Sequence, residues 1–114
     1  MTETGTIDTT APLLFSSYGG DSEMAELVAM FVNEMPDRIE QLQRLLSATN
    51  WDELGRLAHQ MKGACGSYGF EQMTPLAARL EQATRGGESV EAIRDSLQEL
   101  SDALSRARAG APCS

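Results

Sequence analysis

The 114-residue sequence predicts an all-α protein, an antiparallel up-and-down four-helix bundle with allowance for one extra short helix at its N-terminus. Three observations carry that prediction. Apolar residues recur at helical spacing through successive segments of the chain. The connections between those segments are only a few residues long, which makes sequential helices antiparallel neighbours. No segment alternates apolar and polar residues with the period of two that marks a half-buried strand.

Residues 1–12 (MTETGTIDTTAP) lack periodicity and are expected to form a flexible arm. Leu13, Leu14 and Phe15 are compatible with a turn of helix ahead of Gly19-Gly20. Asp21 or Ser22 then offers an N-cap, and Met24, Leu27, Val28, Phe31, Val32 and Met35 follow at helical spacing. Pro36 removes a backbone donor and disfavours helix at Met35. Ile39, Leu42, Leu45 and Leu46 nevertheless continue the stripe nearly in phase, so one long kinked helix is preferred to two helices meeting there. Asn50, with Glu53 three residues on, has the form of a capping box opening a helix over 51–68, which Gly69 ends. The next helix, 70–85, places Phe70, Met73, Leu76, Ala77, Leu80 and Ala83 on one side and stops at Gly86-Gly87. Val90, Ile93, Leu97, Leu100 and Leu104 mark a last helix reaching about residue 107. The bundle thus covers 13–108, followed by a flexible tail, 109–114.

Composition narrows the function. The chain is long enough for one domain, and its 41% hydrophobic and 23% charged residues are those of an ordinary soluble protein. Seventeen acidic against nine basic residues give a formal charge of −8, which argues against nucleic acid and anionic membrane surfaces as partners. With no signal peptide and no apolar run of spanning length, a cytoplasmic location is expected. One His and two distant Cys, Cys65 and Cys113, do not make a metal site or a disulfide framework, and Cys65 reads as a small buried hydrophobe. Neither G-x-G-x-x-G nor a phosphate-loop lysine motif is present, so no nucleotide site is expected.

The rarest residues are the most informative: one histidine, His59, and one lysine, Lys62, three positions later. On a helical wheel Leu54, Leu57, Met61, Cys65 and Tyr68 fall within about 40° of a common direction, the expected buried stripe. His59 lies roughly 160° from its centre and should be exposed. Gly55, Gly63 and Gly66 fall four before, four after and seven after it. Each glycine in a helix interior costs about 1 kcal/mol relative to Ala. Three of them are read as a face cleared so that another macromolecule can approach the imidazole. An unprotonated imidazole nitrogen is a good nucleophile near neutral pH, and a phosphoryl group placed on Nε2 would meet the Lys62 ammonium. For Nε2 to attack, Nδ1 must carry the proton and be held by an acceptor; Glu81, on the flank of the next helix, is one of several acidic candidates.

The run His59-Gln60-Met61-Lys62-Gly63-Ala64-Cys65-Gly66-Ser67-Tyr68-Gly69-Phe70 resembles the signature of the histidine phosphotransfer (HPt) family, H-x-hydrophobic-K-G-small-small-G-x-aromatic/aliphatic-G. Leu76-Ala77-Ala78-Arg79-Leu80-Glu81 looks like the helix packed beside it, and the similarity extends over about 21–107. Ala64 and Cys65 stand where many members have Ser, so hydroxyl contacts are not assumed there. The resemblance implies phosphorylation of His59 on Nε2, stabilisation of the phosphoryl group by Lys62, room for the partner at Gly63, and orientation of the imidazole by Glu81. It implies a phosphoryl carrier rather than an enzyme, a monomer with no cofactor of its own, whose partners are response-regulator receiver domains or a hybrid histidine kinase. The receiver would contribute the phospho-aspartate and Mg²⁺. Docking is expected on an apolar patch around His59, along the exposed edges of the helices before and after Asn50. A free-standing shuttle is the leading expectation. The alternatives are a helical adaptor without transfer, or an HPt region cut from a larger hybrid kinase.

Overall fold

The computed structural model describes residues 13–18 and 21–109; the expected arm, Cys113 and all of the tail except Ala109 lie outside the described residues. The chain folds into helices α1 (Ala25–Asn33), α2 (Met35–Ser47), α3 (Trp51–Ser67), α4 (Thr74–Arg85) and α5 (Val90–Ser105). Helices α2 to α5 each pack on their sequence neighbours, and α5 returns to α2, closing the up-and-down four-helix bundle. Leu42, Leu54, Met61, Cys65, Phe70 and Leu80 are among the side chains fully buried at its centre.

Only Glu34 separates α1 from α2, and it keeps helical torsion angles (φ −84°, ψ −11°). Its N–H donates to the Met30 and Phe31 carbonyls at 3.2 and 3.1 Å, and its own carbonyl accepts from Arg38 N. Pro36 falls in the first turn of α2, where its missing N–H has no intrahelical partner to lose. Two helices therefore meet at Glu34 without a loop, in place of the one long helix expected to kink at Pro36.

Several local expectations are corrected. Met24, not Asp21 or Ser22, occupies the N-cap of α1; the Asp21 carboxylate accepts from Glu23 N (2.8 Å) in a turn that ends before the helix begins. Half of the capping box forms, since Asn50 Oδ1 accepts from Glu53 N (3.3 Å). The Glu53 carboxylate pairs with Arg56 instead of returning to Asn50. The segment expected as one helix from Phe70 opens with a 3₁₀ turn, Glu71–Met73, and α4 starts at Thr74. Pro75 falls in the first turn of α4, where its missing N–H has no intrahelical partner to lose.

Leu14 and Phe15 are not a turn of helix. They form strand β1 (Leu14–Phe15), paired in parallel with strand β2 (Ala107–Arg108). The same segment ties the end of α3, because Ser17 N donates to Gly69 O (2.8 Å) and the Ser16 hydroxyl donates to Tyr68 O. Gly69 sits at φ +83°, and a Cβ there would collide with the Ser16 and Ser17 hydroxyls.

Candidate functional site

Helix α3 packs most extensively against α4. It buries Gly55 and Ala58 besides Leu54, Leu57, Met61 and Cys65, an arc wider than the apolar stripe alone. Burial pushes the Cys65 thiol up to about 12, so it is an inert core residue. His59 lies just outside the buried arc, with its side chain 60% exposed.

The imidazole is held from one side. His59 Nδ1 is 3.0 Å from Oε2 of Glu81, which reaches across from α4 and is only 10% exposed. The Lys62 ammonium, 3.0 Å from Glu81 Oε1, is the main cause holding the Glu81 carboxyl below its ordinary range; the bond from His59 adds to it, and burial opposes it. An ionised carboxylate can only accept, so His59 Nδ1–H donates to Glu81 and the ring's unprotonated nitrogen is Nε2. Among the candidate acceptors left open by the sequence, the fold brings Glu81 to the ring.

Arg85 completes the cluster, with a guanidinium nitrogen 3.2 Å from Glu81 Oε2. Sequence reasoning passed over it. The signal was its place four residues after Glu81, where acidic and basic side chains on a helix meet. Glu81 thus carries His59 and Arg85 on one oxygen and Lys62 on the other.

The three glycines part company. A Cβ on Gly63 would meet nothing within 4 Å, so the surface beside His59 is open there. Gly66 is half-buried, and a Cβ would make ordinary contact with Thr74 Oγ1 at 3.8 Å. Gly55 is buried and does not belong to the open face: a Cβ would come within 2.8 Å of Thr84 Oγ1 and 3.6 Å of Arg85 Cγ. Its wheel position, about 120° from the stripe, is covered because α4 lies against that flank. The edges of α2 and α3 also differ from the apolar patch expected. Leu45 and Leu57 form the floor expected of an apolar edge, but Arg38, Gln41, Arg44, Glu53, Arg56 and Gln60 line the same groove and make it mixed. Helix α1 contributes two of the exposed large apolar side chains, Leu27 at 44% and Met30 at 56%. They lie one turn before Phe31 and Glu34, which border the cleft to Ala64 and Tyr68.

A helical bundle that presents one exposed imidazole, gripped by a carboxylate of the adjacent helix, has the architecture of a helical phosphotransfer module. A family model described as Hpt domain matches residues 26–110, and the chain belongs to this family of histidine phosphotransfer domains, phosphocarriers of two-component phosphorelays that work with receiver domains and kinases. No curated protein and no solved structure matches the chain. Among the described residues no helix is long and apolar enough to cross a membrane, and no group of three or more His, Cys, Asp and Glu is placed to hold a metal ion.

Proposed function

We propose that this protein accepts a phosphoryl group on His59 Nε2 from the phospho-aspartate of a receiver domain, or from a histidine kinase, and passes it to a response regulator. The observation that carries the reading is the 3.0 Å bond from Nδ1 to a buried, ionised Glu81 on a ring whose side chain is 60% exposed. That bond assigns the proton to Nδ1 and leaves a nucleophilic lone pair on Nε2.

In the forward step the Nε2 lone pair attacks phosphorus. The bond from phosphorus to the aspartyl oxygen breaks, and its electron pair returns to the partner's carboxylate. The ring, keeping its Nδ1 proton, becomes cationic, and the Glu81 carboxylate offsets that charge as it develops. Lys62, one turn along α3 from His59, is within reach of the incoming oxygens. The open surface at Gly63 admits the partner's active-site edge. The Mg²⁺ site and the acidic cluster that activates the aspartyl phosphate belong to the receiver. Transfer to the response regulator is the same step reversed.

Incubation with a radiolabelled phospho-receiver tests the proposal. An acid-labile, alkali-stable label on the wild type that vanishes in His59→Gln is expected; label persisting in that variant overturns it.

A further inference from the structure

The Glu81 cluster poses a charge problem that phosphotransfer must solve. In the free protein Lys62 is engaged with Glu81 Oε1 at 3.0 Å, so a phosphoryl group on His59 would compete for its ammonium with a carboxylate that is only 10% exposed. A carboxylate stripped of its partners in such a site is strongly unfavourable. We propose that Arg85 is a positioning residue that keeps the Glu81 charge compensated while Lys62 moves from Glu81 to the phosphoryl group on His59. The inference rests on His59 being the phosphoacceptor, and it assigns Arg85 to Glu81 rather than to the phosphate.

Three features support this handover. Lys62 holds Oε1, whereas His59 and Arg85 share Oε2, so Lys62 can depart without disturbing the bond that orients the imidazole. Arg85 and Glu81 lie four residues apart on α4, so their pairing is internal to one helix and survives any movement of Lys62 on α3. The Arg85 stem runs along the α3–α4 seam: a Cβ at Gly55 would be in ordinary contact with it, 3.6 Å from Arg85 Cγ and 3.7 Å from Nε.

Charge balance leads to the same place. Before transfer, two cations face one carboxylate and a neutral ring. Phosphorylation brings about two negative charges and makes the ring cationic, so the cluster closes near neutrality. Without Arg85 it would finish net negative, and Glu81 would compete with the phosphoryl group for Lys62.

The test uses the full chain phosphorylated with phosphoramidate, a small donor that needs no docking, and follows the half-life of the His59 label. Arg85→Gln should shorten that half-life by about five-fold, with Arg85→Lys restoring most of it; the same Arg85→Gln change should matter by less than about two-fold in a Glu81→Gln background. An equal loss in both backgrounds would mean that Arg85 acts on the phosphoryl group itself, and no loss in either would mean that it has no part; either result overturns the handover. Arg85 is 60% exposed, so its variants should fold, and circular dichroism verifies this. A wild type that takes no label on His59 overturns the phosphoacceptor reading itself, an outcome distinct from both.

Discussion

Glu81 concentrates the chemistry of the site in one side chain, and its protonation has a definite signature. Because its folded-state pKa lies below the ordinary 4.5, its interactions contribute stability that is fully present above 4.5 and is lost as the pH falls through the lower folded-state value. Glu81→Gln should therefore cost about 1–2 kcal/mol at pH 7, the size of hydrogen bonds to a charged group whose cationic partners are themselves exposed. The gap between wild type and variant should narrow as the solution is taken well below pH 4.5, read by urea denaturation across the range. A gap that does not change with pH would show that the carboxylate is not coupled to folding. The neighbouring positions separate two other roles. Lys62→Ala should slow transfer about ten-fold or more while leaving receiver affinity nearly unchanged, since it removes a cation needed where charge develops. Gly63→Arg should abolish receiver binding in a pull-down with the circular dichroism spectrum intact, because the side chain would fill the open surface beside His59.

At the scale of the helix, two glycines on α3 are expected to respond oppositely to the same methyl group. Gly63→Ala should raise stability by about 1 kcal/mol, the intrinsic preference of a helix for Ala, because nothing stands within 4 Å of the new Cβ. Gly55→Ala should lower it by about 1 kcal/mol or more, since the same preference is outweighed by forcing a methyl to within 2.8 Å of Thr84 Oγ1. Thermal melts of the two variants check the pair, and a gain in both would mean that α4 yields freely at the seam. A helical wheel could not have separated these positions. It ranks residues by side-chain polarity and treats a glycine as empty space, yet at Gly55 the Thr84 hydroxyl of α4 stands where a Cβ would go. The same periodicity located α3, α4 and α5 to within a few residues and put His59 outside, because burial of Leu54, Leu57, Met61 and Cys65 leaves that azimuth uncovered. What it missed has physical causes of other kinds. Two residues of strand, Leu14–Phe15, are too short to show a period. The i,i+4 pairing of Arg85 with Glu81 lies within α4, but that the same carboxylate also meets His59 and Lys62 depends on how α4 meets α3. The mixed groove of arginines and leucines between α2 and α3 depends on how two helix edges face each other, which no single-helix pattern records.

The bundle as a whole is closed at one end by residues outside the helices. Leu14 N donates to Arg106 O at 2.8 Å and Ser17 N to Gly69 O at 2.8 Å, so residues 14–17 bridge the C-terminal ends of α5 and α3. Ser16 is buried, its hydroxyl donates to Tyr68 O, and Tyr68 in turn stacks on Phe31 with ring centroids 4.8 Å apart. Gly66 lowers the helix preference of this end of α3, and Gly69, at φ +83°, ends it against residues 16 and 17. A chain lacking residues 1–18 should accordingly be less stable than one lacking only 1–12 by roughly 2–4 kcal/mol, taking about 1 kcal/mol for each hydrogen bond lost and adding the half-buried Leu14 and Phe15. In a domain of this size that corresponds to a drop in melting temperature of roughly 10–20 °C. The site itself should be spared. His59 stands nine residues before Tyr68, about 13 Å along the helix axis, and the Glu81 cluster rests on the α3–α4 seam rather than on the closed end. The shorter chain should therefore accept phosphate from a receiver at the wild-type rate well below its melting temperature. Equal melting temperatures for the two truncations would show that the β1–β2 pairing and the Ser16–Tyr68 contact add nothing to the fold. Lost transfer in a folded truncate would show that the end of α3 is coupled to the imidazole.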